Sequence, residues 1–460
     1  MRQAARRCVS WCSAGLIIVS SAIASRDQTL DGEWLSDGYG HLAEVKGSEI
    51  SLFEVTPISC LVLEAFTLKA EPVDPRGTRF VSKGGMLFLA PGPDRDSEWF
   101  HSPDAASRVL FRRAAARPEV CDRPAKNDPL TSFNIFAATL AAHHGFLRHR
   151  GVDWPALTQT YRAKVDARTT PDELFDIFKA MIEPLHDMHT FIRAPTLKRE
   201  FGGKRPGTLT LFFSAAEEAR TIEILETHYL AGRLRAWCNR HLRYARSKTG
   251  LGYLRIDALQ GYAAGGFDEG GRALEAALDE ILEDARGVKG LIVDVRLNRG
   301  GADPYGLQVA GRLTDEPYVA FVKRARNDAQ DAERWTAPQP STVRVSGGPR
   351  FLGKVVELIG PDTVSGGETF TMALMGRKPH VIRIGENTQG VYSDVLERSL
   401  PNGWQFGLPN EMFLTEQGIH FEARGVPPDI RVPVFPQSDL ASGRDGAVER
   451  AIETLQASDP

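Results

Sequence analysis

The sequence predicts a layered α/β core preceded by a small β domain and a helical subdomain, and three observations carry that expectation. From Gly250 onward strand-like and helix-like runs alternate, the pattern of sheet and helix layers packed on one another. Residues 126–200 carry apolar side chains at helical spacing, whereas residues 31–111 hold short β-rich runs broken by glycine turns. The chain has 460 residues, and single cores rarely grow past about 250 residues, so several units are expected.

At the amino terminus Arg2, Arg6 and Arg7 precede an apolar run from Cys8 to Ala24 that closes on Ala22-Ile23-Ala24. This is the layout of a secretory signal peptide over residues 1–24. The other reading is a retained membrane anchor, for which the run is short and interrupted by serines. No later stretch is apolar enough to span a bilayer, so no stable membrane insertion is expected after cleavage, and the product would be periplasmic or extracellular.

Residues 25–125 are expected to form the small β domain and a linker. Gly84-Gly85 separates two β-rich runs in GTRFVSKGGMLFLA, which signals a hairpin. Residues 126–200 give the helical subdomain. Its Thr170-Pro171-Asp172-Glu173 combines a hydroxyl cap, a first-turn proline and acids near the positive end of the helix dipole.

Residues 201–460 are expected to be the α/β core. TLTLFF at 208–213 is β-rich, and the basic segment from Arg233 to Lys248 is left without an element and read as a solvated face. Strand GYLRI then precedes a helix over about Glu269–Arg286, whose Leu274, Leu278 and Ile281 form one apolar face. Strand GLIVDVRL, a helix near Tyr305–Leu313, strand PYVAFV, strand VVELIG, the loop PDTVSGGE, helix ETFTMALM and strand HVIRIG follow. Two strands around Trp404–Leu414 and a final helix with Val448, Ile452 and Leu455 close the chain.

Composition narrows function by exclusion. Hydrophobic residues at 42% and charged residues at 25% exclude a disordered or fibrous chain. A net charge of −3, more negative once the arginine-bearing leader is gone, argues against non-specific nucleic-acid binding. Cys60, Cys121 and Cys238 remain outside the leader, allowing one internal disulfide at most. Cys60 with Cys121 is the pairing favoured by an oxidising compartment, and three buried free thiols are the equal alternative.

Ser365 stands between an apolar strand and a helix, in Asp362-Thr363-Val364-Ser365-Gly366-Gly367-Glu368. A serine at such a turn presents its oxygen at the end of a sheet, with the following amides directed at any developing oxyanion. An ordinary helix cap would look the same. Gly300 and Gly301 end the strand segment Asp294-Val295-Arg296-Leu297-Asn298-Arg299, where α/β sheets bind ligands, although a plain tight turn also fits. A hydroxyl needs a base, and His189 is the best placed histidine. His143, His144, His149, His186, Asp187 and His189 cluster in one region but show neither H-E-x-x-H nor C-x-x-C, so no metal is expected. The glycine-rich pieces match neither nucleotide-binding pattern, and no cofactor is expected.

Several segments taken together, LHDMHT, GYLRI, KGLIVDVRLNRGG, LIGPDTVSGGETF, IGENTQG, LPNGWQF and FEARGVPPDIRV, resemble the tail-specific (carboxy-terminal processing) and tricorn-core serine peptidase family, which includes the repeats of interphotoreceptor retinoid-binding protein. The resemblance covers about residues 130–455 and implies a ClpP/crotonase-like core. It further implies that Ser365 is the nucleophile and that Gly366 with Gly300 or Gly301 forms the oxyanion hole. The tail-specific branch places a lysine where this chain has Val391, so the resemblance is to the tricorn-like branch, with His189 as base. In that branch a glutamate corresponding to Glu422 and a serine before the histidine complete the relay, but Met188 stands at the serine position. Glu422 or Asp187 would then orient His189. The implied function is an exported serine-type peptidase acting on a peptide or protein. The alternative is a decayed ligand-binding protein on the same fold. Oligomeric state and specificity cannot be read from the sequence.

Overall fold

The computed structural model describes residues 30–68, 74, 76–207, 214–328 and 330–457. The expected leader at 1–24 and the TLTLFF stretch lie outside them.

Eight antiparallel strands, β1 (Gly32–Ser36), β2 (His41–Lys46), β3 (Glu49–Thr56), β4 (Ser59–Leu68), β5 (Thr78–Val81), β6 (Met86–Pro91), β7 (Ser97–His101) and β8 (Val109–Arg113), form a closed barrel. The first strand pairs with the last through Trp34 and Arg113. Closure leaves no unpaired edge. Trp34, Val45, Ile50, Phe80, Phe100 and Phe111 fill its interior. The Gly84-Gly85 turn joins β5 and β6, which pair antiparallel. Cys60 on β4 is disulfide-bonded to Cys121 in the segment leaving the barrel, while Cys238 is a free, half-buried thiol.

Helices α1 (Pro129–His143), α2 (Trp154–Arg162) and α3 (Pro171–Ile182) come next. Each begins with a side-chain cap and a proline in its first turn: Asp128, Asp153 and Thr170 accept from Thr131, Ala156 and Glu173 amides, satisfying orphan donors. Phe133, Phe136, Phe178 and Trp154 pack them against a four-stranded sheet. That sheet combines β9 (Phe191–Ala194) and β10 (Arg199–Gly202) with two strands from near the carboxyl end.

After α4 (Ala215–Ile224), the main sheet is assembled from β11 (Arg235–Trp237), β12 (Leu242–Arg246), β13 (Gly252–Ile256), β14 (Leu291–Asp294), β17 (Val355–Ile359), β18 (Ile382–Gly385) and β22 (Ile430–Arg431), in that spatial order. β11–β13 are antiparallel, and pairing from β13 onward is parallel. Interspersed in the chain are α5 (Phe267–Asp284), α6 (Asp303–Gly311), β15 (Tyr318–Ala325), β16 (Gln339–Val343), α7 (Gly366–Met375), β19 (Val395–Ser399), β20 (Gln405–Pro409) and β21 (Glu411–Leu414), then α8 (Gln437–Ser442) and α9 (Gly446–Gln456). Leu274, Leu278 and Ile281 of α5, with Val309 and Phe370, cover one face of the sheet. Val448, Ala451 and Leu455 of α9 cover the other. Parallel strands buried on both faces are nearly all apolar for this reason.

In the basic segment 233–248, Arg233, Arg235, Arg240, Arg246 and Lys248 are exposed, as the solvated face expected of it requires. The segment also supplies β11 and β12, and Arg243 is buried on ion pairs with Glu218 and Asp257, each at 3.0 Å. Residues 126–182 with β9, β10, β19 and β20 make the helical unit and its sheet, so the chain is an α/β protein with a helical subdomain and an N-terminal β domain.

Candidate active site

The carboxyl ends of the adjacent parallel strands β14 and β17 put two turns side by side, where an α/β sheet offers its crevice. Hydrogen bonds stitch the turns together. Val364 N donates to Asn298 O at 2.9 Å, and Thr363 Oγ1 donates to Val295 O at 2.8 Å. Buried Asn298 holds its own turn, donating from Nδ2 to Ile256 O and accepting at Oδ1 from Gly300 N.

Ser365 caps α7 with φ 55° and ψ −123°, a left-handed region that favours glycine. Between Val355 and Leu374 it is the single residue that is not buried. Its N–H donates to Val391 O at 3.0 Å. Glu368 is spent on structure, accepting from the amides of Gly390, Val391 and Ser365.

The glycines here are required by close approach. A Cβ on Gly300, whose φ is 86°, would lie 2.7 Å from Ser365 Cβ, and one on Gly366 would lie 2.4 Å from Gly301 O. Gly300 N is taken by Asn298 Oδ1. Among the described residues no acceptor is recorded for Gly301 N or for Gly366 N at the head of α7. Of the two glycines named from the sequence, Gly301 is therefore the free donor.

His189 follows a turn in which His186 is left-handed, with φ 50°. Asp187, fully buried, accepts from the His189 main-chain N–H at 2.9 Å and from Thr190 Oγ1 at 2.8 Å. It fixes the loop and not the ring. His144 Nε2 adds a hydrogen bond with Thr190 Oγ1 at 3.1 Å. The Ser393 backbone acts on the His189 ring as an acceptor, yet Nδ1 is enclosed without a well-aligned partner. Burial, together with Arg150, holds the imidazole below its ordinary value against the opposing pull of Asp187 and Asp394.

Glu422 does not reach the histidine. Its carboxylate accepts from Arg150 Nη2 at 2.6 Å and from Tyr392 N at 3.1 Å. The same guanidinium lies 3.6 Å from Asp187. One buried cation thus serves two buried acids. Burial alone would raise both, but Arg150 and the nearby histidines hold Asp187 below the usual carboxylate range, whereas burial pushes Glu422 up to about 8.

Ser365 and His189 open onto one cleft of about 890 Å³, shared with Met188, Gly301, Tyr305 and Asp394. The barrel reaches it too, through Asp104 and Ala105. The remaining histidines of the cluster are dispersed. His143 lies under Gly40 of the barrel, His149 stacks edge-on with His420, and His186 is exposed. Sequence reasoning missed Arg150, Asn298 and Asp394, each of which looks like an ordinary polar residue at a helix end or turn.

Known proteins share parts of this sequence and its fold. The model of peptidase family S41 matches residues 250–432, and that of the tricorn protease C1 domain matches residues 136–183. Residues 250–432 are thus similar to peptidase family S41. The first match spans both turns of the cleft, and the second covers the helical unit leading to His189. Among curated proteins no sequence matches it. Among solved structures, a candidate peptidase from Parabacteroides merdae is 24% identical, with a TM-score of 0.61, over 73% of this chain and 98% of that one. Mature CPAF complexed with lactacystin is 14% identical, with a TM-score of 0.52, over 72% of this chain and 97% of that one. These likenesses are of fold. Peptides or proteins are the substrates that a match to this peptidase family implies.

Proposed function

We propose that this chain is a serine-type peptidase in which Ser365 is the nucleophile, His189 the base, and the amides of Gly301 and Gly366 the oxyanion donors. The observation that carries the reading is Ser365 itself. In a stretch otherwise wholly buried, one serine is turned outward by a left-handed backbone, at a helix head, into the cleft that His189 lines.

The chemistry is acyl transfer to water. His189 takes the Ser365 proton as the oxygen attacks the scissile carbonyl, and the two amides receive the negative charge on the carbonyl oxygen. Collapse breaks the C–N bond, and the proton on His189 goes to the departing amine. Water, deprotonated by the same imidazole, then cleaves the acyl ester and returns Ser365 to its hydroxyl form. A base must be unprotonated at working pH, and the enclosed position of His189 favours that state. Val391 stands where the tail-specific branch has its lysine, and an alkyl side chain accepts no proton.

Export is part of the same proposal. It is supported by the arginine-led apolar run at residues 1–24 and by the Cys60–Cys121 bridge, since disulfides persist in oxidising compartments. No helix among the described residues is long and apolar enough to cross a membrane. The units proposed are residues 25–125, 126–200 and 201–460, the last carrying Ser365.

Covalent labelling by a fluorophosphonate, read by intact mass and peptide mapping, tests the reading. Label on Ser365 that disappears in Ser365→Ala and His189→Ala is the expected result. A folded wild-type protein that takes no label, or a Ser365→Ala variant that still cleaves peptides, would sink it.

A further inference from the structure

The N-terminal barrel touches the peptidase core through more than a surface. Its β1–β2 turn, Gly38-Tyr39-Gly40, carries Tyr39 at φ 60° and sends the phenol into the core, where it donates to Glu411 Oε1 at 2.6 Å. The carbonyl of Tyr39 accepts from Arg398 on β19. Glu411 in turn lies 3.2 Å from the buried ammonium of Lys323, and Lys323 donates to Asp394 Oδ2 at 2.6 Å. Glu411 Oε2 also accepts from Asp394 N, at 3.3 Å. Ser393, the preceding residue, is pinned through its hydroxyl by the amides of Asn410 and Glu411. Ser393 and Asp394 are the residues that present a carbonyl and a carboxylate to the His189 side of the cleft.

We propose that the barrel is a working part of the catalytic site, with Tyr39 as a positioning residue that acts through Glu411, Lys323 and the Ser393–Asp394 segment on His189. The idea rests on His189 being the base. Among the described residues, Lys323 is the only lysine or arginine paired with Asp394 or Glu411. A third acid, Asp303, shares its field without accepting a hydrogen bond from it, and accepts instead from Thr369 Oγ1 at 2.7 Å. With one positive charge for three acids, the Tyr39 hydrogen bond decides how well Glu411 keeps its negative charge, and so how Lys323 divides between Glu411 and Asp394. Asp394, half exposed in the cleft, sets the negative potential at the imidazole from one side. Asp187 and Arg150, backed by His144 and Glu422, set it from the other. A peptidase of this build without its barrel would keep the nucleophile turn intact and lose the firm placement of its base.

The test uses the full chain, with Tyr39→Phe and Asp394→Asn measured as pH profiles of kcat and kcat/KM on a peptide substrate. Tyr39→Phe should lower kcat on the order of tenfold with KM little changed, as loss of one buried hydrogen bond acting on a base implies. Asp394→Asn should move the acidic limb of kcat/KM to lower pH, because a negative charge that favours imidazolium has been removed. Folding is checked by circular dichroism, and if Tyr39→Phe does not fold, Asp394→Asn carries the test alone from its half-exposed position. Wild-type kcat in folded Tyr39→Phe, or an unmoved acidic limb in Asp394→Asn, overturns the proposal. If wild-type protein takes no label at Ser365, the peptidase reading itself has failed. Labelled wild type with silent variants removes this inference only.

Discussion

The two ends of the cleft are built in different ways. The Ser365 end is local: two turns that follow neighbouring strands, with Asn298, Gly300, Gly301, Val364, Ser365 and Gly366 lying in two short stretches of chain. The His189 end is dispersed. Around it gather Arg150 after α1, Asp187 in its own loop, Ser393 and Asp394 before β19 and Lys323 in β15, with Glu422 held on Arg150. A local site is rigid because its backbone is already committed to the sheet. A dispersed site is only as well placed as the domains that supply it, and it offers more places for tuning.

The largest expected effect strikes the local end. Gly300→Ala brings a methyl carbon to 2.7 Å from Ser365 Cβ, at a φ of 86°. With the nucleophile displaced, peptide turnover should fall at least about a hundredfold, comparable to loss of an oxyanion donor. Turnover within a few fold of wild type would mean that the turn is soft, and the contrast between the two ends would collapse.

At the dispersed end the first expected effect is on stability. Arg150→Met leaves Asp187 and Glu422 buried without their common cation, and breaking a buried pair in this manner costs roughly 3–5 kcal/mol. Denaturant unfolding measures it. A loss below about 1 kcal/mol would show that Asp187 is held by its amide and hydroxyl donors alone.

Glu422→Gln should do less. Burial pushes Glu422 up to about 8, so near neutral pH an amide resembles the protonated acid, and kcat/KM should change by less than about threefold. A loss of a hundredfold or more would place Glu422 in direct partnership with His189, against the 2.6 Å contact with Arg150 that occupies it here.

The smallest effect concerns the seam between barrel and helices. Burial holds His41 well below its ordinary value and His143 down at about 3. A histidine with a lowered folded pKa binds a proton only on unfolding, so its contribution is full above about pH 6.5 and is lost as pH falls toward 3. Melting temperature should therefore decline less steeply between pH 6.5 and 4 in a His41→Gln/His143→Gln variant than in wild type. Equal slopes would remove these histidines as the acid-sensitive element.

The same contrast explains what the sequence disclosed. The fold was legible wherever structure is set by neighbours in the chain: Thr170-Pro171-Asp172-Glu173 starts α3 with its capping box, and Leu274, Leu278 and Ile281 face the sheet from α5. Ser365 was legible because its strand, glycines and helix are consecutive. Cys60 and Cys121 could be paired from their shared region, and the structure joins them. Glu422 was expected at the histidine on resemblance and lies on Arg150 instead, because an arginine from a different helix end intervenes. Asp394 and Lys323 were invisible, since a Ser-Asp pair ahead of a strand and one lysine within another carry no signature until β15 pairs with β21 and the Ser393 hydroxyl ties its segment to Asn410 and Glu411.

The left-handed backbone at Ser365 bears on how this chain has been maintained. A side chain held there costs on the order of 1–3 kcal/mol that glycine would not incur. Ser365→Gly should therefore raise the denaturation midpoint while abolishing labelling, a variant both sturdier and inert. Under mutation without selection for reactivity, drift at this position would favour the sturdier residue, and a lineage that had abandoned chemistry would be expected to shed its serine early. Serine at this position is the strained choice, and glycine the one that stability alone would favour.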